Sequence, residues 1–343
     1  MFSKIILNKE NLLNNVNYLK EKAGAELCVM VKANAYGHGS REITEMLGDN
    51  VNYLGVSNEY EAFDLREMTD RKIIVFGRCQ DYFSCTQQNI EFSLFSFDHA
   101  KEIISKTKNA DKKPLMHLCI NSGMNRYGVR EIKECKKIIS FLQKKEIPLA
   151  GIYTHFSSLT TDEEYTKKQY QIFKEFSSLI PKDWQTIKHL GGGKSIFGQF
   201  SADMFRVGFE VYGYSDENVN KVLSAHSQIV DIQSVKKGEH IGYLCGYTAT
   251  EDMKVATIPL GYGDGLPRKL SNKLQVKIKG QNAKSVGNIC MDAFMIDVSK
   301  IKCNIGDDVL IFNDARQIAP LIESTEYEVL TNLCKFRGTR EIK

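Results

Sequence analysis

Residues 26–47, ELCVMVKANAYGHGSREITEML, contain the pattern that decides the fold. An apolar run ends at Lys32, a loop rich in glycine and polar atoms follows, and an amphipathic helical pattern begins at Ser40. This strand–loop–helix order repeats along the chain. A lysine at the end of a buried strand costs desolvation free energy unless its amine is paired, used covalently or extended to water. Lys32 is therefore the first candidate functional residue.

The first 215 residues alternate short apolar segments with longer amphipathic segments. Eight strand–helix units over about 200 residues predict an α/β fold of the (β/α)8 TIM-barrel type. A doubly wound open sheet, the alternative, would have a G-x-G-x-x-G turn after its first strand, and none is present. The predicted strands are ELCVMVK (26–32), NYLGVS (52–57), KIIVFG (72–77), EFSLFS (91–96), PLMHLCI (114–120), LAGIYTHF (149–156), TIKHL (186–190) and MFRVGFEVYG (204–213).

After residue 215 the pattern changes to short strands separated by Gly, Asp and Asn turns, which predicts a mostly β C-terminal domain. The predicted domains are a (β/α)8 barrel over residues 8–215 and a β domain over residues 216–343. The N-terminal strand 1–7 is a candidate addition to the β domain. The boundary is predicted within SDENVNK (215–221).

The composition of the 343-residue chain argues against several function classes. The chain is 42% hydrophobic and 26% charged, as ordinary globular proteins are. Its formal net charge of +4 is small, and it has no basic stripe of the kind that binds nucleic acid. No apolar run approaches the roughly 18–20 residues of a membrane span, and no signal-peptide pattern is present. Nine irregularly spaced cysteines and seven histidines without ligand spacing predict reduced thiols, a cytoplasmic location and no metal site.

The active site of a (β/α)8 barrel gathers at the carboxyl ends of its strands. At those ends the sequence places Lys32, Arg126, His155 and Arg206. The run GGGKS (191–195) offers backbone N–H groups and a hydroxyl to a phosphate, although its spacing is not that of a Walker loop. A lysine together with a phosphate-type loop suggests a Schiff-base enzyme that uses pyridoxal 5'-phosphate. A strand-end lysine that only extends to water is an equally open interpretation of Lys32.

Six motifs span both predicted domains: KANAYGHG (32–39), GMNRYG (123–128), THF (154–156), RVGFEVYG (206–213), IPLGYGDGLPR (258–268) and GNICMDAFMID (287–297). Together and in this order they resemble those of fold-type III alanine racemase, a pyridoxal phosphate-dependent family. The resemblance implies an isomerase that interconverts L-alanine and D-alanine through an external aldimine by a two-base mechanism. It also implies a cytoplasmic homodimer that supplies D-alanine for peptidoglycan in cell wall biogenesis.

The resemblance implies a role for each matching residue. Lys32 binds the cofactor covalently and acts as one base. Tyr262 acts as the base on the opposite face and reaches the active site of the partner subunit. Arg206 hydrogen-bonds the pyridine nitrogen. The other residues implied at the cofactor are Tyr36, His155, Ser195 and the backbone around Gly208, and those implied at the substrate are Arg126, Met291 and Asp292.

These roles agree with the chemistry of racemisation, which removes the α-proton from one face and returns a proton on the other. Two bases are needed, one protonated while the other is free. A lysine and a tyrosine serve if their pKa values fall from about 10 toward neutrality, and the cations Arg126 and Arg206 push both in that direction. An arginine cannot give up its proton to the ring, so the ring stays a weaker electron sink, which favours proton exchange over decarboxylation.

Three regions depart from the family pattern. The family's MDQ is Met291-Asp292-Ala293 here, which removes one amide side chain. Cys119 stands where the family often has a lysine whose carbamate positions the following arginine, so Arg126 needs another support, such as Asn121 or an anion. Near the C-terminus, Lys335 or Phe336 occupies the neighbourhood of a tyrosine that often contacts the phosphate. These changes bear on affinity and substrate choice.

Three functions remain open at this point. The first is an amino-acid racemase, with alanine as substrate and serine or a broader range as the alternative. The second is a basic amino-acid decarboxylase of similar architecture, which Arg206 disfavours because such enzymes have an acidic residue at the ring nitrogen. The third is a non-catalytic pyridoxal phosphate carrier, which the β domain with GYGDG (261–265) disfavours.

Overall fold

The computed structural model describes residues 2–343, which form two compact units. The barrel unit contains Leu13–Lys32 and Leu47–Val219. The β unit contains the segment ending at Leu12, together with Ala33–Met46 and Asn220–Lys343. The chain therefore passes from the barrel unit to the β unit directly after Lys32.

Strand β1 (Lys4–Leu7) belongs to the β unit, and the next eight strands are parallel and close into a barrel. Pairing of the first barrel strand with the last, Glu26 opposite Met204, completes the ring. The predicted (β/α)8 barrel is confirmed. Its strands are β2 (Glu26–Met30), β3 (Tyr53–Val56), β4 (Lys72–Val75), β5 (Ile90–Leu94), β6 (Met116–Cys119), β7 (Gly151–His155), β8 (Ile187–Gly191) and β9 (Met204–Val207).

Helices alternate with these strands, and side-chain caps fix where several of them begin. The side chains of Asn58, Ser96 and Asp162 each accept a hydrogen bond from the backbone N–H three residues later, which satisfies a donor of the first helical turn. The helices up to this point are α1 (Lys9–Ala23), α2 (Ser40–Leu47), α3 (Glu59–Arg66), α4 (Tyr82–Gln87), α5 (Phe97–Lys106), α6 (Ile132–Lys144) and α7 (Glu163–Ser177).

The eighth barrel strand is shorter than predicted. MFRVGFEVYG (204–213) is strand only as far as Val207, after which the chain turns. The Val211 N–H donates to Gly208 O at 3.1 Å, and Gly213 has a φ of 96°. The prediction of a strand to residue 213 was wrong because apolar residues buried in a turn have the same composition as a buried strand.

The interior of the barrel is unusually polar. Barrels of this type usually fill their interior with layers of branched apolar side chains. Here polar and aromatic side chains from five neighbouring strands hydrogen-bond or stack on one another and are shielded from water. They are Glu91 and Ser93 on β5, His117 on β6, Tyr153 on β7, His189 on β8 and Arg206 on β9.

The β unit confirms the predicted mostly β C-terminal region. Besides β1, its strands are β10 (Leu223–Gln228), β11 (Asp231–Val235), β12 (His240–Ile241), β13 (Tyr247–Thr248), β14 (Met253–Ile258), β15 (Gln275–Ile278), β16 (Gln281–Lys284), β17 (Phe294–Asp297), β18 (Asp308–Phe312) and β19 (Thr339–Ile342). The largest sheet has the strand order β16-β15-β18-β10-β1-β19, and smaller sheets have the orders β11-β14-β17 and β12-β13. The helix α8 (Glu326–Asn332) near the C-terminus was not predicted.

Among the helices of residues 2–343, none combines the length and the apolar content that crossing a membrane requires.

Candidate active site

The loop after β2 begins with four consecutive residues in the left-handed helical conformation. Ala33, Asn34, Ala35 and Tyr36 have φ values of 50°, 50°, 52° and 53°. This conformation costs a residue with a side chain about 1–2 kcal/mol, so four in succession require support from their surroundings. The Gly37 N–H closes the turn on Ala33 O at 3.0 Å.

Two side chains hold this left-handed turn, that of Asn34 within the turn and that of Arg340 in the β unit. Asn34 Oδ1 accepts from the backbone N–H of Ser40 at 2.7 Å, which also caps α2. Arg340, on β19, donates to Gly37 O at 3.2 Å and to His38 O at 3.1 Å. The final strand of the chain therefore holds the two residues that directly follow Tyr36.

Tyr327, on α8, packs beside Tyr36 with the two ring centroids 6.0 Å apart. The sequence analysis named Lys335 or Phe336 for the neighbourhood of a phosphate-binding tyrosine and did not name Tyr327, which opens the same segment YEVLTNLCKFRG. Phe336 is buried in the β unit.

Lys32 follows β2 at the carboxyl end of the barrel. The preceding residue, Val31, donates its N–H to Gly55 O at 2.8 Å, which extends the parallel pairing to the edge of the lysine. Burial, followed by the positive charges of Arg126 and Arg206, lowers the pKa of the Lys32 amine. A lowered pKa favours the neutral amine, which is the nucleophilic form that can attack a carbonyl.

Arg206, on β9, is only 5% exposed and is held in one orientation. Its Nη2 donates to Thr154 O at 2.7 Å, and its Nη1 donates to His189 Nδ1 at 2.9 Å. The guanidinium carbon lies 4.7 Å from the ring centroid of Tyr153 and 5.0 Å from that of Phe76. Aromatic faces on the buried cation offset part of its desolvation cost.

His155, at the end of β7, lies among these cations. Burial and the charges of Arg206, Arg126 and Lys32 lower its pKa to about 3, so its imidazole is neutral at neutral pH. A Cβ on Gly191 would lie 2.0 Å from Arg206 Nη2 and 2.6 Å from His155 Nδ1. Only glycine therefore fits beside these two groups.

Arg126 is exposed and has no hydrogen-bond partner within residues 2–343. Asn121 does not supply one, because its Oδ1 accepts from the backbone N–H groups of Gly123 at 3.2 Å and Asn125 at 3.0 Å. Burial raises the pKa of the Cys119 thiol to about 11, so the thiol is uncharged at neutral pH. The support that a lysine carbamate would give Arg126 is not reproduced by either residue.

The glycine-rich segment after β8 contains a buried hydroxyl that lacks a partner. Ser195 lies in the short 3-10 turn Gly193–Phe197 and is fully buried. In the part of the chain that the structure describes, its Oγ makes no hydrogen bond. Buried polar atoms are normally hydrogen-bonded, so this oxygen indicates a position for a ligand.

A carboxylate lies against the same segment. Glu210 Oε2 accepts from the Gly208 N–H at 3.0 Å, and a Cβ on Gly193 would lie 1.8 Å from this oxygen. Burial raises the pKa of Glu210. The Gly208 amide, which the sequence analysis assigned to a phosphate, is thus engaged with Glu210, which the sequence analysis did not name.

In the β unit, the predicted base Tyr262 sits on a loop that is tied to the segment carrying Met291. The Tyr262 N–H donates to Cys290 O at 3.0 Å, and the Gly263 N–H donates to Met291 O at 2.9 Å. The two side chains remain accessible, with 41% of Tyr262 and 53% of Met291 exposed. Backbone pairing therefore presents both residues on one surface.

Arg337 reinforces this arrangement and was not predicted. Its Nε donates to Asp264 Oδ1 at 2.7 Å, and its Nη2 donates to Asp292 Oδ1 at 2.8 Å. Asp264 Oδ2 in turn accepts from the Gly261 N–H at 3.0 Å. Asp264 and Asp292 raise the pKa of Arg337. One guanidinium thus bridges the GYGDG loop to the predicted substrate-binding aspartate.

Tyr262 also lines a cleft of about 450 Å³ within the β unit. Arg268 and Lys335 supply two positive charges to this cleft, which makes its walls attractive to anions. The lining residues are Tyr262, Gly265, Leu266, Pro267, Arg268, Asn332 and Lys335.

The ten predicted site residues fall into two groups, one in each unit. Those in the barrel unit are Lys32, Arg126, His155, Ser195, Arg206 and Gly208, and those in the β unit are Tyr36, Tyr262, Met291 and Asp292. Within residues 2–343, no group of three or more His, Cys, Asp or Glu side chains is arranged to hold a metal ion.

A closed parallel barrel with a lysine at the end of its first strand, followed by a mostly β region, defines a two-domain barrel enzyme. The family profile "Alanine racemase, N-terminal domain" matches residues 7–216, and "Alanine racemase, C-terminal domain" matches residues 222–341. The chain belongs to the alanine racemase family, which consists of pyridoxal phosphate-dependent isomerases.

Individual relatives match along nearly their whole length. The chain is 30% identical to the alanine racemase of Francisella philomiragia, with 95% of this chain and 96% of the relative covered. It is 31% identical to the alanine racemase of Helicobacter pylori, with 97% of each covered. Among solved structures, alanine racemase from Clostridium difficile 630 superposes with a TM-score of 0.93 at 30% identity, covering 100% of this chain and 96% of that one.

Proposed function

We propose that this chain interconverts L-alanine and D-alanine with pyridoxal 5'-phosphate as its cofactor. The observation that carries the proposal is the buried Arg206 beside Lys32 at the strand ends of the barrel. A decarboxylase of similar architecture would place an acidic residue where Arg206 stands. Family membership supports the same reaction, since the relatives named above are alanine racemases.

The residues present fit the cofactor. When bound, pyridoxal phosphate supplies an electron sink that makes the α-proton of an amino acid acidic. Lys32 would hold it covalently through an amine whose pKa burial has lowered. The Ser195 hydroxyl, buried without a partner, suits a phosphate oxygen, and the Gly208 N–H would join it once Glu210 has moved or been protonated. Tyr36 would also bind the phosphate.

Three further residues have proposed roles toward the ring and the phosphate. Arg206 would donate to the pyridine nitrogen and, being unable to release its proton, would leave that nitrogen uncharged. His155, which is neutral at neutral pH, would pack near the ring without adding charge. Tyr327 is added to the phosphate-binding group because its ring packs beside that of Tyr36.

Arg126, Met291 and Asp292 are the residues that we propose for the substrate carboxylate. Arg126 carries the positive charge that a carboxylate requires, and no residue within 2–343 hydrogen-bonds to its side chain. Met291 would offer a backbone N–H. Asp292, held by Arg337, would support that segment.

Lys32 and Tyr262 are the proposed bases. One removes the α-proton from its face of the substrate while the other, already protonated, delivers a proton to the opposite face. The same pair working in reverse converts the other enantiomer. Because each base must change its protonation state in every turnover, the cations Arg126 and Arg206 near Lys32 assist by favouring its neutral form.

We also propose a homodimer in which Tyr262 serves the partner's active site, a cytoplasmic location, and a role in supplying D-alanine for peptidoglycan. The accessible Tyr262 is compatible with action on a second subunit. All nine cysteines are free thiols in the structure, as expected in a reducing compartment. We further assign the barrel, residues 8–215, to the cofactor and residues 216–343 to the second base.

The function is tested by incubating the cofactor-loaded protein with L-alanine in heavy water. Proton NMR follows exchange at the α-carbon, and chiral chromatography follows the enantiomers. We expect deuterium at the α-carbon together with D-alanine, and no signal from Lys32→Ala. Exchange of serine but not alanine would keep the reaction and change the substrate. No exchange with either, while the cofactor is bound, would contradict the proposal and favour a carrier.

A further inference from the structure

A continuous chain of four buried side chains crosses the barrel interior from β9 to β5. Arg206 Nη1 lies 2.9 Å from His189 Nδ1, and His189 Nε2 lies 2.8 Å from His117 Nδ1. The chain ends where His117 Nε2 lies 2.6 Å from Glu91 Oε2. Both histidines are fully buried, and Glu91 is 4% exposed. A barrel usually packs branched apolar side chains here, so these residues call for a specific role.

In this series of hydrogen-bonded side chains, every hydrogen bond is donated in the same direction, from Arg206 toward Glu91. A guanidinium has donors only, so His189 Nδ1 must accept and the His189 proton must be on Nε2. His189 Nε2–H then donates to His117 Nδ1, which places the His117 proton on Nε2. That proton is donated to the acceptor oxygen of Glu91. Burial, Arg206 and His117 hold the pKa of His189 well below its ordinary value, consistent with a neutral ring in this position.

Glu91 also supplies the negative charge that Arg206 otherwise lacks. Within residues 2–343, Arg206 makes no direct ion pair with a carboxylate. Its protein acceptors are Thr154 O, His189 O and His189 Nδ1. The carboxylate joined to it by hydrogen bonds is that of Glu91, two imidazole rings away. Hydrogen bonds that share a low-dielectric interior polarise one another, so charge at one end strengthens the whole chain.

We propose that Glu91 is a positioning residue for Arg206, which it orients by fixing the tautomers of His117 and His189. The inference rests on the proposed function, because the orientation of Arg206 matters to the reaction only if its guanidinium meets the cofactor ring. Glu91 itself touches neither cofactor nor substrate in this scheme. It acts on the reaction through three side chains.

Removal of the carboxylate has a defined consequence. Without an acceptor at position 91, His117 can carry its proton on Nδ1 and donate it to His189 Nε2. The His189 proton then lies on Nδ1, where it faces the N–H of Arg206. Two donors cannot form a hydrogen bond, so the guanidinium must turn away. Glu91→Met removes the acceptor. Glu91→Gln keeps an acceptor oxygen and removes only the charge.

The test compares the wild-type holoenzyme with Glu91→Gln, Glu91→Met and the control Glu59→Gln. Glu59 is another buried carboxylate of the barrel unit and is 3% exposed. It accepts from the Gln80 N–H at 2.8 Å and takes no part in the hydrogen bonds that join Arg206 to Glu91. Nitrogen-15 NMR of ring-labelled histidines gives the tautomers of His117 and His189. Steady-state kinetics give kcat and KM for both enantiomers of alanine.

We expect Nε2–H tautomers at both histidines in the wild type and in Glu91→Gln, and a population with Nδ1–H in Glu91→Met. We expect kcat/KM to fall about tenfold in Glu91→Met, mainly through kcat, and by a smaller factor in Glu91→Gln, with no loss in Glu59→Gln. Unchanged tautomers and rates in Glu91→Met would overturn the proposal, as would an equal loss in Glu59→Gln.

Two outcomes separate this proposal from the proposed function and from misfolding. If Glu91→Met fails to fold, the test rests on Glu91→Gln. An unchanged kcat/KM in Glu91→Gln then overturns the proposed role of the Glu91 negative charge. If the wild type racemises no amino acid, the proposed function fails, while the tautomers of the Glu91 variants still decide whether Glu91 sets the direction of the chain.

Discussion

The Lys32 amine is partly buried, and the charges that act on it are those of Arg126, Glu61 and Arg206. Burial, Arg126 and Arg206 lower its pKa from the ordinary value of 10.5. A group whose pKa is lower in the folded chain binds more protons after unfolding. The contribution of Lys32 to the free energy of unfolding therefore rises with pH between its folded pKa and 10.5, and is unfavourable at lower pH.

This pH dependence of the free energy of unfolding predicts how Lys32→Met behaves in the cofactor-free protein. Methionine fills a similar volume without a charge, so the variant should be more stable than the parent at pH 7. Its advantage should shrink as the pH rises through 10.5, because well above that pH the parent's lysine carries no charge in either state. Urea unfolding of both proteins at several pH values measures the difference. Two free-energy curves that remain parallel would contradict the argument.

Single residues differ in how well the sequence predicts them. Lys32 and Arg206 are recognisable because a charge at the end of an apolar run is costly unless it is used. Glu91 is not, because the strand IEFSL (90–94) does not reveal which of its alternating faces becomes the barrel interior. Glu210 and Tyr327 are identified only by the groups they contact, Gly208 and Tyr36.

At the scale of elements, the left-handed turn at residues 33–36 is the least ordinary feature of the chain. Its cost is about 1–2 kcal/mol per residue, which the packing around it must offset. Arg340 supports the loop from outside, with hydrogen bonds to Gly37 O, His38 O and Leu333 O. Burial lowers the pKa of Arg340, which shows that the cation is partly desolvated to make these bonds.

Replacement of Arg340 by glutamine should release the turn. We expect a loss of about 1–3 kcal/mol in the free energy of unfolding, since charge-assisted hydrogen bonds to buried carbonyls are lost. Faster amide hydrogen exchange is expected at Gly37 and Gly39. Arg316→Gln is the matched control, because the Arg316 side chain is 59% exposed in its ion pair with Asp314. An exposed pair contributes about 0–1 kcal/mol, so equal losses would contradict the role of Arg340.

Elements are predictable where burial dictates composition. The eight barrel strands are buried on both faces, and all eight were located from apolar runs. The end of the eighth strand was missed because the turn after Val207 is equally apolar. The left-handed turn was missed because alanine and tyrosine rarely adopt positive φ, so nothing in KANAY (32–36) indicates it apart from the asparagine.

At the scale of the whole molecule, the two proposed bases lie in different units of the chain. Lys32 is the last residue of its barrel segment, and Tyr262 lies on an accessible loop of the β unit. This separation is what a homodimer would exploit, with Lys32 and Tyr262 of each active site coming from different subunits. In a twofold dimer both active sites would then be assembled in the same way.

Mixed dimers of two inactive variants test this arrangement. Lys32→Ala and Tyr262→Phe are co-expressed with different affinity tags, and the mixed dimer is purified on both tags in turn. If each site combines residues of two subunits, the mixed dimer has one intact site and one site that lacks both bases. We then expect about half of the wild-type activity per dimer.

In the reciprocal control, a wild-type subunit is paired with the double variant Lys32→Ala/Tyr262→Phe. Every site of this dimer then lacks one base, so activity should be lost. An inactive first hybrid together with a half-active control would instead show that Lys32 and Tyr262 act within one subunit.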